Sequence, residues 1–144
     1  MTTLGGNLRT FLLEDPAISA VVGDKVFQNK VPTLDERSEW PDAPYIWFMR
    51  SGTEPIPCLD QIPGTQPYRE YFDLECCSPE VGQEIELAEL IWQRLSYYRG
   101  QFGDTWMMAV IVNDHSEQYL YRNNEADEGL SIAALTLELI PGRN

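Results

Sequence analysis

Hydrophobic positions change period several times along the chain, and each change marks an element. Leu4, Leu8, Phe11 and Leu12 recur at three- and four-residue steps, which predicts an N-terminal helix over residues 4–13 with one side on a core. A short second helix should follow. Asp15 can cap free amides and Pro16 stands where a missing N–H costs nothing, while Ile18, Val21 and Val22 share a face. Gly23 supplies the left-handed residue that stops it. Lys25, Val26 and Phe27 then read as a brief strand. Residues 45–51 form the first strong one, and Tyr45, Trp47 and Met49 are as apolar as the alternating Ile46 and Phe48. That pattern predicts an interior strand covered on both faces.

Between these strands, residues 31–44 carry Pro32, Pro41 and Pro44 among acidic side chains and read as an exposed connector. Residues 52–68 read as a long exposed loop, because Pro55, Pro57, Pro63 and Pro67 with Gly52 and Gly64 remove too many backbone donors for a ladder. Alternation is clean over residues 69–77: Phe72, Leu74 and Cys76 fall on one side and Tyr71, Asp73 and Glu75 on a wet one. A long helix follows, with Ser78 as N-cap, Pro79 as first helical residue, Glu80, Glu84, Glu86 and Glu89 early, and Arg94 and Arg99 late. Its buried stripe reads as Val81, Ile85, Ala88, Trp92 and Leu95, broadened by Leu87, Leu90 and Ile91, with Gly100 as its stop. So wide an arc needs cover on more than one side, by the N-terminal helix or by another subunit, and core packing is the default. Residues 106–112, 117–122 and 130–140 read as strands, separated by turns at 113–116 and 123–129. The sum is one α+β domain over residues 1–144, a mostly antiparallel sheet of four to five strands packed on two main helices, with a short frayed C-terminal tail.

Charge changes the picture more than size does. Ten basic residues against 23 acidic ones give a formal net charge of −13, which opposes attraction to phosphate backbones. The plain reading is solubility. A sharper one is a carboxylate-lined channel through which double-stranded DNA, with one charge per ~1.7 Å of axis, passes without sticking. No apolar run reaches the ~20 residues needed to span a bilayer, and the start "MTTLGGNLRTFLLEDP" has no basic leader, so a soluble, cytosolic chain with no membrane partner is expected. Cys58, Cys76 and Cys77 are expected to be reduced thiols, and alternation sends Cys76 and Cys77 to opposite faces.

Candidate chemistry is sparse. His115 is the only histidine, and beside Asp114 in a turn-like stretch it reads as solvated. Asn123, Glu125 and Asp127 have calcium-loop spacing, but Glu128 stands where glycine is needed and Ala134 where the bidentate glutamate belongs. Ser51 and Ser131 lack a nucleophile elbow, and Gly5, Gly6, Gly100 and Gly103 form no phosphate-cradling fingerprint. Glu70, Asp73 and Glu75 could join Asp104 or Glu138 in an acidic metal site, which keeps a small cytosolic enzyme as an alternative. No catalytic residue, metal ligand or cofactor is otherwise assigned. Trp47, Trp92 and Trp106 read as core fillers. Tyr68 and Tyr71 flank the long loop and Trp40 lies in the polar, proline-flanked connector; with Glu54 and Asp60 of the long loop they are the interface candidates.

The order "LEDPAISAVVGDKVFQNKVP", "DAPYIWF", "YFDLECCS" and a long helix resembles the tail-completion, or tail-terminator, proteins of tailed bacteriophages. Asp15, Pro16, Gly23, Val26, Pro32, Pro44, Tyr45 and Ile46 carry the likeness, with "NNEADEGLSIAALTLEL" as a fainter echo near the end. The resemblance implies a non-catalytic subunit assembling into a ring, usually of six copies, that caps the tail tube and joins it to the head-neck connector or stopper protein. Double-stranded DNA would cross the lumen without specific binding. The location implied is the virion, with assembly in the host cytoplasm. A head-completion or stopper protein of the same neck is the neighbouring alternative. The segments at 31–44 and 52–68 are long and acidic for the family.

Overall fold

The computed structural model describes residues 3–29, 44–56, 68–122 and 125–142, with backbone alone over 114–122 and 125–130. In chain order the elements are α1 (Leu4–Leu13), α2 (Pro16–Val22), β1 (Val26–Gln28), β2 (Tyr45–Pro55), β3 (Tyr68–Ser78), α3 (Gln83–Leu95), β4 (Gly100–Phe102), β5 (Thr105–Arg122) and β6 (Glu125–Pro141). The strands form one sheet in the order β1-β2-β3-β6-β5-β4. Only β1 against β2 is parallel; the other neighbours are antiparallel.

The α+β class matches the expectation, but the strand and helix numbers do not. There are six strands and three helices among the described residues. β4 leaves no signal in the sequence because three residues, Gly100, Gln101 and Phe102, are too few to show a period. α1 and α2 follow the sequence closely. The Asp15 carboxylate accepts from the Ala17 amide at 2.9 Å, and Gly23 ends α2 at a φ of 66°.

Several boundaries move. Residues 52–55 are strand rather than loop: β2 pairs with β3 as far as Pro55↔Tyr68, after a bulge between Arg50 and Gly52. A proline is tolerated there because it ends the strand beyond the short reach of β1, where a missing donor breaks no ladder bond. The turn expected at 113–116 is strand as well. β5 runs through it with a register shift between Asn113 and His115, so the turn-forming residues are absorbed as a bulge. Of the turn expected at 123–129, residues 125–129 are strand, and Glu125 already pairs with Arg122. The long helix starts at Gln83, not Pro79. Ser78 Oγ accepts from the Glu80 amide at 3.0 Å and donates to Gln83 Oε1 at 2.7 Å, which caps a turn ahead of the helix. Gly82, at a φ of 98°, is the true N-cap, and the Glu84 carboxylate folds back to accept from its amide. Gly100 does not stop this helix; Ser96 and the left-handed Tyr97 do, and Gly100 opens β4.

All three helices lie on one face of the sheet. Leu8, Phe11 and Leu12 of α1, Ile18 and Val22 of α2, and Leu87, Ala88, Ile91 and Leu95 of α3 are buried against Ile46, Phe48, Phe72, Leu74, Cys76, Leu135, Leu137 and Leu139. Each large aliphatic or aromatic side chain among them contributes about 1.5–3 kcal/mol by leaving water. The helix packed beside α3 is α2 rather than the N-terminal helix expected; α1 meets it where Arg94 donates from Nε and a terminal nitrogen to the Phe11 carbonyl, with its guanidinium 3.9 Å over the Phe11 ring. The predicted stripe is also rotated. Val81, Ile85 and Trp92 are exposed, because the seam facing the sheet runs through Glu84, Leu87, Ala88, Ile91 and Leu95. Trp47 and Trp106 are half-buried, so none of the three tryptophans fills the core, which phenylalanines 11, 48, 72 and 102 occupy instead.

Candidate assembly surfaces

With the helices gathered on one face, the other face of the sheet carries its own chemistry. A small cluster of Tyr45, Cys77 and Ile132, flanked by Phe27 and Trp47, closes one end of it. The double cover expected for β2 therefore holds at Tyr45 but fails at Met49, which is 40% exposed. Cys76 and Cys77 do point to opposite faces, Cys76 into the helix-side core and Cys77 into this smaller cluster. Burial pushes the Cys77 thiol up to about 12 and lifts Cys76 well above the ordinary thiol range, with the neighbouring thiol and Glu75 adding to the rise at Cys76. Both are inert as nucleophiles at neutral pH. Tyr45 is raised for the same reason, with Cys77 adding to it.

Toward the far end of β2 and β3 this face becomes a hydrogen-bonded polar lattice. Tyr71 donates its hydroxyl to Glu54 Oε2 at 2.9 Å. Arg69 donates to Glu138 Oε1 at 3.0 Å, and Asn113 Nδ2 donates to Glu138 Oε2 at 2.6 Å. Strand register creates these contacts: β3 sets Tyr71 opposite Glu138, and Glu54 stands opposite Arg69. The Glu54 bond holds the Tyr71 phenol above its ordinary range. Glu75, farther along, is also raised, mainly by burial, against an opposing hydrogen bond from Trp47.

Three of the interface candidates lie at the same end of β2 and β3, Glu54 and Tyr71 on this face and Tyr68 on the opposite one with Glu70. Glu54 and Tyr71 are bonded, and Tyr68, 40% exposed, pairs across from Pro55. Trp40 and Asp60 lie outside the described residues. The grouping of Arg69, Glu138 and Asn113 has no signal in the sequence: alternation puts Arg69 on the Tyr71 side, but its partner depends on which strand lies next to β3.

The acidic metal site does not assemble. Glu70 faces the helix side and pairs with Arg50 at 3.1 Å, whereas Asp73 and Glu75 lie on the other face. Asp104 sits in the β4–β5 turn and accepts from Asn7 Nδ2 at 2.8 Å, and Glu138 belongs to Arg69 and Asn113. Among the described residues no group of three or more His, Cys, Asp or Glu side chains is placed to hold a metal. His115 stands in β5 opposite Leu135, not in a turn.

Among the concavities at the described residues are two that border the sheet. One, of about 330 Å³, lies between α3 and the sheet and is lined by Ile85, Ala88, Glu89, Trp92 and Leu135. The other, about 390 Å³, is bordered by Thr3, Gln28, Asn29, Arg50 and Glu70. No described helix is long and apolar enough to cross a membrane.

No protein-family model matches the chain, and no curated protein sequence matches it. Among solved structures, a chain from the virion of the native gene transfer agent particle superposes with a TM-score of 0.58 at 11% identity, covering 99% of this chain and 100% of that one. A second solved chain, 15% identical over 92% of this chain and 93% of that one, superposes at a TM-score of 0.41, too loosely to bear on function. At 11% identity the first likeness establishes architecture alone, so the chain has, over essentially its whole length, the fold of a chain found in a gene transfer agent virion.

Proposed function

We propose that the protein is a structural component of a phage-like virion: a tail terminator whose copies, six to a ring, cap the tail tube and join it to the head-neck connector or stopper protein. The observation that carries this reading is the end-to-end fold match to a virion chain. The element order supports it, from the Asp15-capped α2 and its Gly23 stop through β2, β3 and α3, which is the order on which the likeness to tail terminators rests. The polar lattice supports it too. Tyr71 bonds Glu54, and Arg69 and Asn113 bond Glu138, while the buried Arg69 Nε is left with a donor for a partner to meet; the group presents no nucleophile with an attendant base.

The work done is geometric. A contact between two different surfaces of neighbouring copies closes into a ring when its rotation divides the circle. Closure sets the end of the tube and leaves one rim for the neck. Glu54, Tyr68 and Tyr71, with Trp40 and Asp60 of the adjoining segments, are the proposed contact residues. The net charge of −13 repels DNA from the channel wall, so the genome passes without specific binding. The site of action is the virion, reached by assembly in the host cytoplasm, with no cofactor involved. Sedimentation and negative-stain imaging of the purified chain, alone and with tube protein, test this. Rings with a central channel are expected. A monomer that neither forms rings nor joins particles, and that turns over a small substrate, would sink it.

A further inference from the structure

We infer that neighbouring copies join sheet to sheet: the open edge of β2 on one copy pairs antiparallel with the open edge of β5 on the next. This rests on the ring reading above and names the surfaces that close it. β1 covers β2 only at Ile46, Trp47 and Phe48, yet β2 continues to Pro55. On the opposite side, β4 covers β5 only at Thr105, Trp106 and Met107, and the Tyr97 amide donates to the Val110 carbonyl at 2.9 Å. β5 then continues to Arg122. Among the described residues no strand pairs with residues 49–55 of β2 on that side, or with residues 111–122 of β5 on theirs. Each stretch presents a row of backbone donors and acceptors that a further strand would satisfy.

The polarity of the sheet fits a strand supplied by a second copy. From β2 to β3, β6 and β5 the sheet reverses direction at every step, so β2 and β5 run opposite ways. Copies set side by side in one orientation therefore bring β5 against the neighbour's β2 in antiparallel register, with perpendicular ladder bonds. Because the two edges differ, the contact is head-to-tail and repeats around an axis. The edges also sit at different heights. The open part of β2 lies level with the Tyr68 end of β3, while that of β5 runs down past the level of Ser78, which pairs with Ser131 of β6. Joining them steps each copy along the strand direction, and closure then requires strands inclined to the ring axis, as in a barrel. The bulges at Arg50/Gly52 and Asn113/His115, and Pro55 at the strand end, restrict the registers available and discourage random strand addition.

Hydrogen exchange read by mass spectrometry, with sedimentation velocity on the same full-length sample across a concentration series, tests this. A multimer in which amides of both 49–54 and 111–122 slow relative to the monomer is the expected result. A multimer whose two edges exchange as fast as in the monomer overturns the edge pairing while leaving self-assembly standing; a chain that stays monomeric at every concentration, with or without tube protein, overturns both. Thr53→Pro, placed where β1 does not reach, should weaken assembly by about tenfold or more with unchanged near-ultraviolet dichroism. Assembly of T53P at wild-type strength would also overturn the pairing.

Discussion

The two faces of β3 differ in what they are made to meet. Phe72, Leu74 and Cys76, at most 1% exposed, lie under three helices. Tyr71 and Glu75 are half-buried and Asp73 is exposed, on the face opposite the three described helices. One strand thus holds the fold on one side and a hydrogen-bonded surface on the other. Stability should respond steeply to changes on the first face and weakly to changes on the second.

That contrast can be broken most forcefully at Phe72. Its ring meets Phe48 edge-on at 5.9 Å, and Phe72→Ala should cost about 3–5 kcal/mol in chemical denaturation. A loss near that of a surface change would mean the helix-side core is poorly packed. Glu138→Ala comes next. It leaves Arg69 and Asn113 without their shared acceptor, but partial solvation softens the loss to about 1–2 kcal/mol. A cost matching that of F72A would make the lattice a second core.

Glu75→Gln sharpens the comparison through pH. Burial raises this carboxyl, so the folded state holds its proton to higher pH than the unfolded chain does. The penalty for ionising it is absent below the ordinary carboxylate range and develops as pH rises through the folded-state value. E75Q should therefore stabilise the protein modestly at neutral pH and lose that advantage in acid, as urea midpoints at several pH values would show. The smallest effect is expected for Tyr71→Phe, within about 0.5 kcal/mol, since only an exposed hydroxyl bond to Glu54 is lost. If Y71F spares the fold but impairs ring formation, the surface reading gains directly.

Local signals were the readable ones. Asp15, Pro16 and Gly23 act within a few residues of themselves, and α2 begins and ends where they place it. Alternation in β3 likewise needed no knowledge of neighbours. The phase of α3 was not readable in the same way. Val81, Ile85 and Trp92 satisfy helical spacing as well as Leu87, Ile91 and Leu95 do, and only the sheet beneath selects between the two stripes. Asn113, Asp114, His115 and Ser116 have turn chemistry, yet pairing with β6 on both sides of them outweighs local preference. At the candidate surface, Glu54, Tyr68 and Tyr71 were recognisable because they flank the loop. The Arg69–Glu138 pair spans 69 positions and exists only through the β3–β6 register.

That register has a consequence for how the molecule comes into being. β6, the last strand in chain order, inserts between β3 and β5, and the α1 residue Asn7 is bonded to Asp104, 97 positions away. Neither half of the polypeptide can mature alone during synthesis: until β6 arrives, β3 and β5 have no common neighbour and much of the core stays wet. Folding should be late, slow for the chain's size and all-or-none, with a nascent form that depends on chaperone shelter.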